Sequence, residues 1–335
     1  MWPDLTQGFT MGYGQKGNPS GLSVERMGLS PGPRTLLPYS ISLKTTKQPY
    51  MFLLRLLSRL PLRVLYVISD LLFPLVYYVV RYRRGVVREN LRNSFPERSE
   101  KERRQIERRF YRFFCDYAVE TVKMITMSRE EMLRRMHFED TDLMDKAVET
   151  HPFCFLMLGH FGNWEWISSI AMSCQTPTSQ LYTPLHNRAM DRLFYEMRSR
   201  FGGENISKYD ALRRILAWKR EGRRTLVGFI ADQSPKPSST HAWMDFLHQD
   251  TPLFTGAERI GKKVDAAACF ACVTRPRRGY YVCRIEPLVD DMRALPDYEV
   301  TERYMRRLEQ EIEAQPHLWL WTHRRWKHKR TAPEA

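Results

Sequence analysis

From residue 151 onward, apolar runs of strand length alternate with stretches of helical period. No other feature constrains the fold as tightly. The runs are "FCFLML" (153 to 158), "SQLYT" (179 to 183), "TLVGFIA" (225 to 231), "DAAACFACV" (265 to 273) and "YYVCRIEP" (280 to 287). Helical patterns begin near 164, run from about 188 to 201, and cover 210–221. Strands separated by helices call for an α/β fold with a mainly parallel sheet covered by helices. In such sheets, reacting groups collect at the carboxyl ends of strands.

The first run ends in "GHFGNWE" (159 to 165). Gly159 and Gly162 flank His160 and permit an unusual turn. Asn163 suits a helix N-cap, and Glu165 falls in the first turn that follows. On one continuous helix, a spacing of five would turn His160 and Glu165 apart. Across a strand-to-helix corner they can converge. The chemistry that suits such a pair is deprotonation of an alcohol by an imidazole whose other ring N–H is held by a carboxylate. A base of this kind contributes ~10²–10⁴-fold. An attacking hydroxyl then needs no serine or cysteine nucleophile, and backbone N–H groups of the turn are candidates for binding the oxyanion. From the spacing alone, a structural histidine beside a capping carboxylate is the stronger reading.

Upstream, the grammar differs. Residues 1–50 are rich in Gly, Pro and Ser without apolar period, and read as a disordered or spurious extension, with Met51 as a natural start. Residues 51–84 form a hydrophobic, membrane-anchoring segment. Two arrangements suit it: one tilted membrane helix with Arg55, Arg59 and Arg63 near its end, or an interfacial helix pair broken at Pro61 and Pro74. "RYRRGVVRENLR" (81 to 92) follows as a juxtamembrane basic cluster would. Residues 85–150 read as a helical lead-in. A helix over 97–125 carries an apolar stripe at Ile106, Phe110, Phe113, Phe114 and Tyr117, opened by a Ser99/Glu102 capping box, and 128–149 hold another helix or two. Residues 151–330 form the catalytic unit.

The net charge of +15 favours phosphate-bearing or acidic partners without choosing among them. Cys269 and Cys272 form a C-x-x-C, but no second pair accompanies it and the stretch reads as a buried strand. Buried thiols are therefore expected, with no metal and no cofactor.

Four further features share the α/β region: "YTPLHNRAMDRLFYEMRSRFG" (182 to 202), "FIADQSP" (229 to 235), "FLHQDTPLFTGAERIG" (246 to 261) and "PHLWLWTHRRWK" (316 to 327). With "GHFGNWE", in this order and spacing, they resemble the late lauroyl- and myristoyl-transferases of lipid A biosynthesis in Gram-negative bacteria. The resemblance covers roughly 52 to 328. It implies a glycerolipid-acyltransferase-like parallel sheet with an N-terminal membrane helix, held at the inner membrane with the catalytic domain facing the cytoplasm. It also implies transfer of a fatty acyl chain from acyl carrier protein to a hydroxyl of a lipid A precursor. By this resemblance His160 is the catalytic base and Glu165 its partner, while Arg198 and Asp232 bind or position the polar substrate. The same role extends to Arg200, Gln233, Arg324 and Arg325. The chain departs from the family in having Thr183 where arginine or lysine is frequent.

Other readings stand beside this one. The acceptor is then another membrane lipid, such as an aminolipid, glycolipid or pigment, or the chain is an inactive scaffold of the same shape. A membrane-tethered nucleic-acid-binding protein also fits the charge, but no helix-turn-helix, ribonucleoprotein or zinc-finger signature is present, so nucleic acid is not an expected partner.

Overall fold

The computed structural model describes residues 49–330. The reading of residues 1–50 lies outside this range, apart from Pro49 and Tyr50, which open the first helix. Helix α1 (Pro49–Arg59) stops at Pro61, which stands as N-cap to α2 (Leu62–Pro74). Pro74 does not break the second helix. Instead the chain switches there to π-type bonding over Leu75–Val80 and ends at Arg81 in the left-handed region. Next come α3 (Arg84–Ser94) and the long α4 (Glu100–Met124), which opens with the expected capping box between Ser99 and Glu102.

The segment expected to be wholly helical holds a strand. α5 (Arg129–Arg135) leads into β1 (Met136–Glu139), then α6 (Asp142–Thr150). Four residues alternating buried and exposed are too short a signal to separate from the flanking helices. β2 (Phe153–Leu158) follows, buried throughout. The helix expected from about 164 is a 3-10 segment, Trp166–Met172. The remaining order is β3 (Thr178–Tyr182), α7 (Arg188–Ser199), β4 (Glu204–Ser207), α8 (Ala211–Arg220), β5 (Thr225–Ile230), the hairpin β6 (Trp243–Phe246) and β7 (Gln249–Pro252), α9 (Gly256–Val264), β8 (Ala266–Arg277), β9 (Tyr280–Val289) and α10 (Glu299–Ala314).

Seven strands form one sheet in the order β1-β9-β8-β2-β5-β3-β4. Every pairing is parallel except β8 with β9, which are joined by a tight hairpin. The expected mainly parallel sheet flanked by helices is therefore present. β2 lies at its centre, between β8 and β5. A strand covered on both faces must be apolar on both, which accounts for the unbroken run in "FCFLML". Cys269 and Cys272 are buried on β8. Side chains three apart on a strand point to opposite faces, so these two do not converge.

α2 packs along α4 rather than standing away from it. Tyr66 Oη donates to Glu120 (2.8 Å) and Ser69 Oγ to Asp116 (2.7 Å). Lys123 of α4 donates to the Ser58 and Leu60 carbonyls at the end of α1. Phe52, Leu53 and Leu56 of α1, Val64, Val67 and Leu71 of α2, and Val79 and Val80 of the π-type segment are exposed. By length and composition alone, Leu62–Val80 is sufficient to cross a membrane.

Candidate active site

β2 and β5 are parallel neighbours with Leu158 opposite Ile230. Two residues beyond each of those ends stand His160 and Asp232, so the register brings them level. His160 Nδ1 lies 2.6 Å from Asp232 Oδ1. The backbone N–H of His160 donates to the other oxygen, Oδ2 (2.9 Å), and the Trp319 indole N–H donates to it as well (2.8 Å). Both side chains are buried, His160 at 2% and Asp232 at 1% exposure. Burial by itself would raise the Asp232 carboxyl. The neighbouring imidazole and the three donors outweigh burial and bring it down to about 2. An ionised Asp232 can only accept, so Nδ1 carries a proton, and in the neutral ring the lone pair is then on Nε2. Gln233 Nε2 lies 3.4 Å from His160 Nε2.

The carboxylate on His160 Nδ1 is therefore Asp232, where the sequence reading placed Glu165. Glu165 does sit at the entrance of the 3-10 segment, but it turns towards α7. Its two oxygens accept from Arg198 Nε (2.8 Å) and Nη2 (2.7 Å), a bidentate pair whose carboxylate is 5% exposed. Burial acts to lower the Arg198 guanidinium, and the charge of Glu165 more than reverses this, so it stays firmly cationic.

The turn itself is fixed by its glycines and by the C-terminal segment. Gly162 has φ +58°, and a Cβ there would lie 2.7 Å from Val273 Cγ1. Phe161 and Trp319 form an antiparallel bridge. Gly162 N–H donates to the Leu318 carbonyl, and Leu320 N–H to that of His160. The N–H groups of His160 and Gly162 are thus already engaged, which counts against their serving as oxyanion donors. Trp164 stacks on Tyr117 of α4 (4.1 Å) and meets the His160 ring edge-on (5.2 Å).

The other expected residues divide. Arg200 is turned away from the dyad, onto the carbonyls of Met124, Ile125 and Met127 that end α4. Arg324 is exposed. Arg325 is 1% exposed and donates through Nη2 to the Pro252 carbonyl (2.7 Å). Burial lowers it to about 10. Three contributors went unread in the sequence: Trp319 as a donor to Asp232, and two residues set close by. His323 accepts from Ser234 N–H (3.4 Å), and burial, helped by nearby His160, lowers it to about 3. Glu120 holds Asn163 of the turn (2.7 Å).

Among the described residues, His151, Asp265 and Asp291 are grouped closely enough to hold a metal ion. They lie at the opposite ends of the strands from His160, and Arg293 already pairs with Asp265 (2.6 Å). Nothing in that arrangement reaches the His160–Asp232 pair.

The profile of the bacterial lipid A biosynthesis acyltransferases matches residues 40–328. The chain is 20% identical over 212 residues to the lipid A biosynthesis acyltransferase of Haemophilus influenzae, which is 63% of this chain and 66% of that protein. Over 250 residues it is 24% identical to the lipid A biosynthesis palmitoleoyltransferase of Escherichia coli, 74% of this chain and 80% of that protein. A lipid A biosynthesis acyltransferase of Shigella flexneri matches to the same extent.

Proposed function

The chain belongs to the bacterial lipid A biosynthesis acyltransferase family, and on that premise we propose that it transfers a fatty acyl chain from acyl carrier protein to a hydroxyl of a lipid A precursor, with His160 as general base. The observation that carries this reading is the buried His160 Nδ1–Asp232 contact of 2.6 Å at the carboxyl ends of adjacent parallel strands. Nε2 of His160 removes the proton from the acceptor hydroxyl as its oxygen attacks the thioester carbonyl. A C–O bond forms, the C–S bond breaks, and the proton passes from the imidazolium to the leaving thiolate. Asp232 holds the tautomer and offsets the charge of the imidazolium.

Glu165 and Arg198 act together in this scheme. Their bidentate pair braces the entrance of the 3-10 segment against α7, and Arg198 keeps a 22% exposed side chain for an anionic head group. Gln233, beside Nε2, meets the acceptor hydroxyl, and exposed Arg324 meets phosphate. Arg200 is structural in this reading, since backbone carbonyls after α4 take its donors, whereas Arg325 gives only Nη2 to a carbonyl and keeps Nε and Nη1 without a hydrogen-bond partner among the described residues.

α1 and α2 hold the protein at the inner membrane, with the catalytic domain on the cytoplasmic side. The exposed apolar face of α2 and the basic cluster after it suit a lipid surface with anionic head groups. The positive charge of the chain suits acidic acyl carrier protein as the donor. Radiolabelled acyl transfer from acyl carrier protein to a lipid A precursor tests the whole reading. Turnover by the native protein that His160→Ala abolishes is the expected result. Turnover on a different membrane lipid, with none on this acceptor, would overturn the acceptor assignment.

A further inference from the structure

Glu120 is a fully buried carboxylate near the C-terminal end of α4, and it has contacts on two sides. Oε1 accepts from the Tyr66 hydroxyl of α2 (2.8 Å). Oε2 accepts from Asn163 Nδ2 of the turn that carries His160 (2.7 Å), and from the Tyr281 hydroxyl of β9 (2.7 Å). Asn163 Oδ1 in turn accepts from the Trp166 backbone N–H (3.2 Å), and the Trp166 indole N–H donates to the Glu120 carbonyl (3.3 Å). The residue thus meets both the helix that presents an apolar face outward and the loop that holds the base. Burial raises the Glu120 carboxyl, which the Arg275 guanidinium at 3.7 Å and the hydroxyl donors oppose.

The rest of α4 repeats the arrangement. One turn earlier, Tyr117 stacks on Trp164, whose ring meets that of His160. Asp116 accepts from Ser69 of α2 (2.7 Å), Arg275 (2.7 Å) and Arg278 (2.6 Å), and Arg278 also pairs with Asp70 of α2 (2.7 Å). At the hairpin tip, Gly279 lies against the Tyr66 ring, with no space for a Cβ. Tyr66 and Ser69 of α2 therefore join one inward-facing polar network beside buried Leu62 and Leu65, while Val64, Val67 and Leu71 face out.

We propose that Glu120 is a positioning residue that locks the catalytic turn 159–166 to the lipid-facing helix, so that His160 is held in its working position only while α2 is seated on α4. The inference rests on the reading of His160 as base and of α2 as the membrane-facing helix. Loss of the Tyr66 hydroxyl frees one side of the carboxylate, and the turn gains freedom on the other. A displacement of about 1 Å at a reacting group is sufficient for rate losses of ~10²-fold, so partial loosening is expected to cost about tenfold.

The test uses the full chain in vesicles containing the lipid A precursor, with Tyr66→Phe and Glu120→Gln. Both are expected to lower kcat about tenfold at unchanged KM and unchanged flotation with vesicles, and to speed amide exchange in 159–166 but not in β8. Native kcat and native exchange in 159–166 for both variants would overturn the proposal. If Glu120→Gln does not fold, Tyr66→Phe decides alone, since it removes one oxygen. His160→Ala separates the two readings. An inactive His160→Ala beside fully active Tyr66→Phe sinks only the coupling, whereas an active His160→Ala sinks the base assignment. The exchange measurement still tests the turn if the precursor proves not to be the acceptor.

Discussion

The substitution Asp232→Asn puts the proposed chemistry to its hardest test, because its effect can be worked out atom by atom. Asp232 Oδ2 receives two N–H donors, from the His160 backbone (2.9 Å) and the Trp319 indole (2.8 Å). Oδ1 receives one, from His160 Nδ1 (2.6 Å). An asparagine has one oxygen to offer. Placing its NH₂ at the Oδ2 position would set it against two donors and leave buried groups unpaired, at ~1–3 kcal/mol each. The amide therefore orients with its oxygen towards those donors and its NH₂ towards Nδ1. Nδ1 must then accept, the ring proton moves to Nε2, and the lone pair that abstracts the proton is gone. All three hydrogen bonds survive, so folding is preserved. A wrong tautomer of this sort costs ~10⁴-fold in kcat. Single-turnover acyl transfer measures it, with thermal unfolding as the control. Adding His160→Ala is expected to cost little more, because the two residues act as a unit. A fall of less than tenfold in a folded Asp232→Asn protein would refute the tautomer argument.

Three other consequences follow from the geometry. Gly162→Ala is expected to destabilise the protein by ~1–3 kcal/mol in denaturant unfolding, since φ is +58° and the new Cβ would meet Val273. Burial raises the Glu311 carboxyl to about 7, and its Oε2 has no hydrogen-bond partner among the described residues. A raised carboxyl favours the fold while protonated, and that contribution is lost as pH rises from its unfolded value through about 7. Glu311→Gln is therefore expected to change stability little at pH 4 and to add up to ~3 kcal/mol at pH 8, read by unfolding at both. Val67→Asp with Leu71→Asp, at positions 58% and 70% exposed, is expected to leave the fold intact and abolish flotation with anionic vesicles. Undiminished flotation would remove α2 from the membrane assignment.

Much of the fold was legible because its signals are local. Unbroken apolar runs marked the buried strands, the capping box opened α4 where expected, and Gly162 occupies the left-handed turn its position called for. The misses are short or context-dependent. β1, β4 and the β6–β7 hairpin have four residues per strand, too few for a period to stand out. Glu120 did leave a trace: it lies seven residues after Phe113, on the apolar stripe of its helix, where a carboxylate requires buried partners. Trp319 is packed in the core, and its N–H serves Asp232 as well.

The residue types of the site and the corner on which His160 stands are local properties of the chain. The sequence by itself could not decide which carboxylate holds the imidazole. Glu165 is five residues away along the chain and Asp232 is 72. The local path turns Glu165 away from the imidazole, to Arg198 of α7. Strand order, by contrast, places β5 beside β2 with Leu158 opposite Ile230, and two equal steps past that pair bring Asp232 level with His160. Pairing between distant strands is a property of the whole sheet, and no spacing within "GHFGNWE" encodes it.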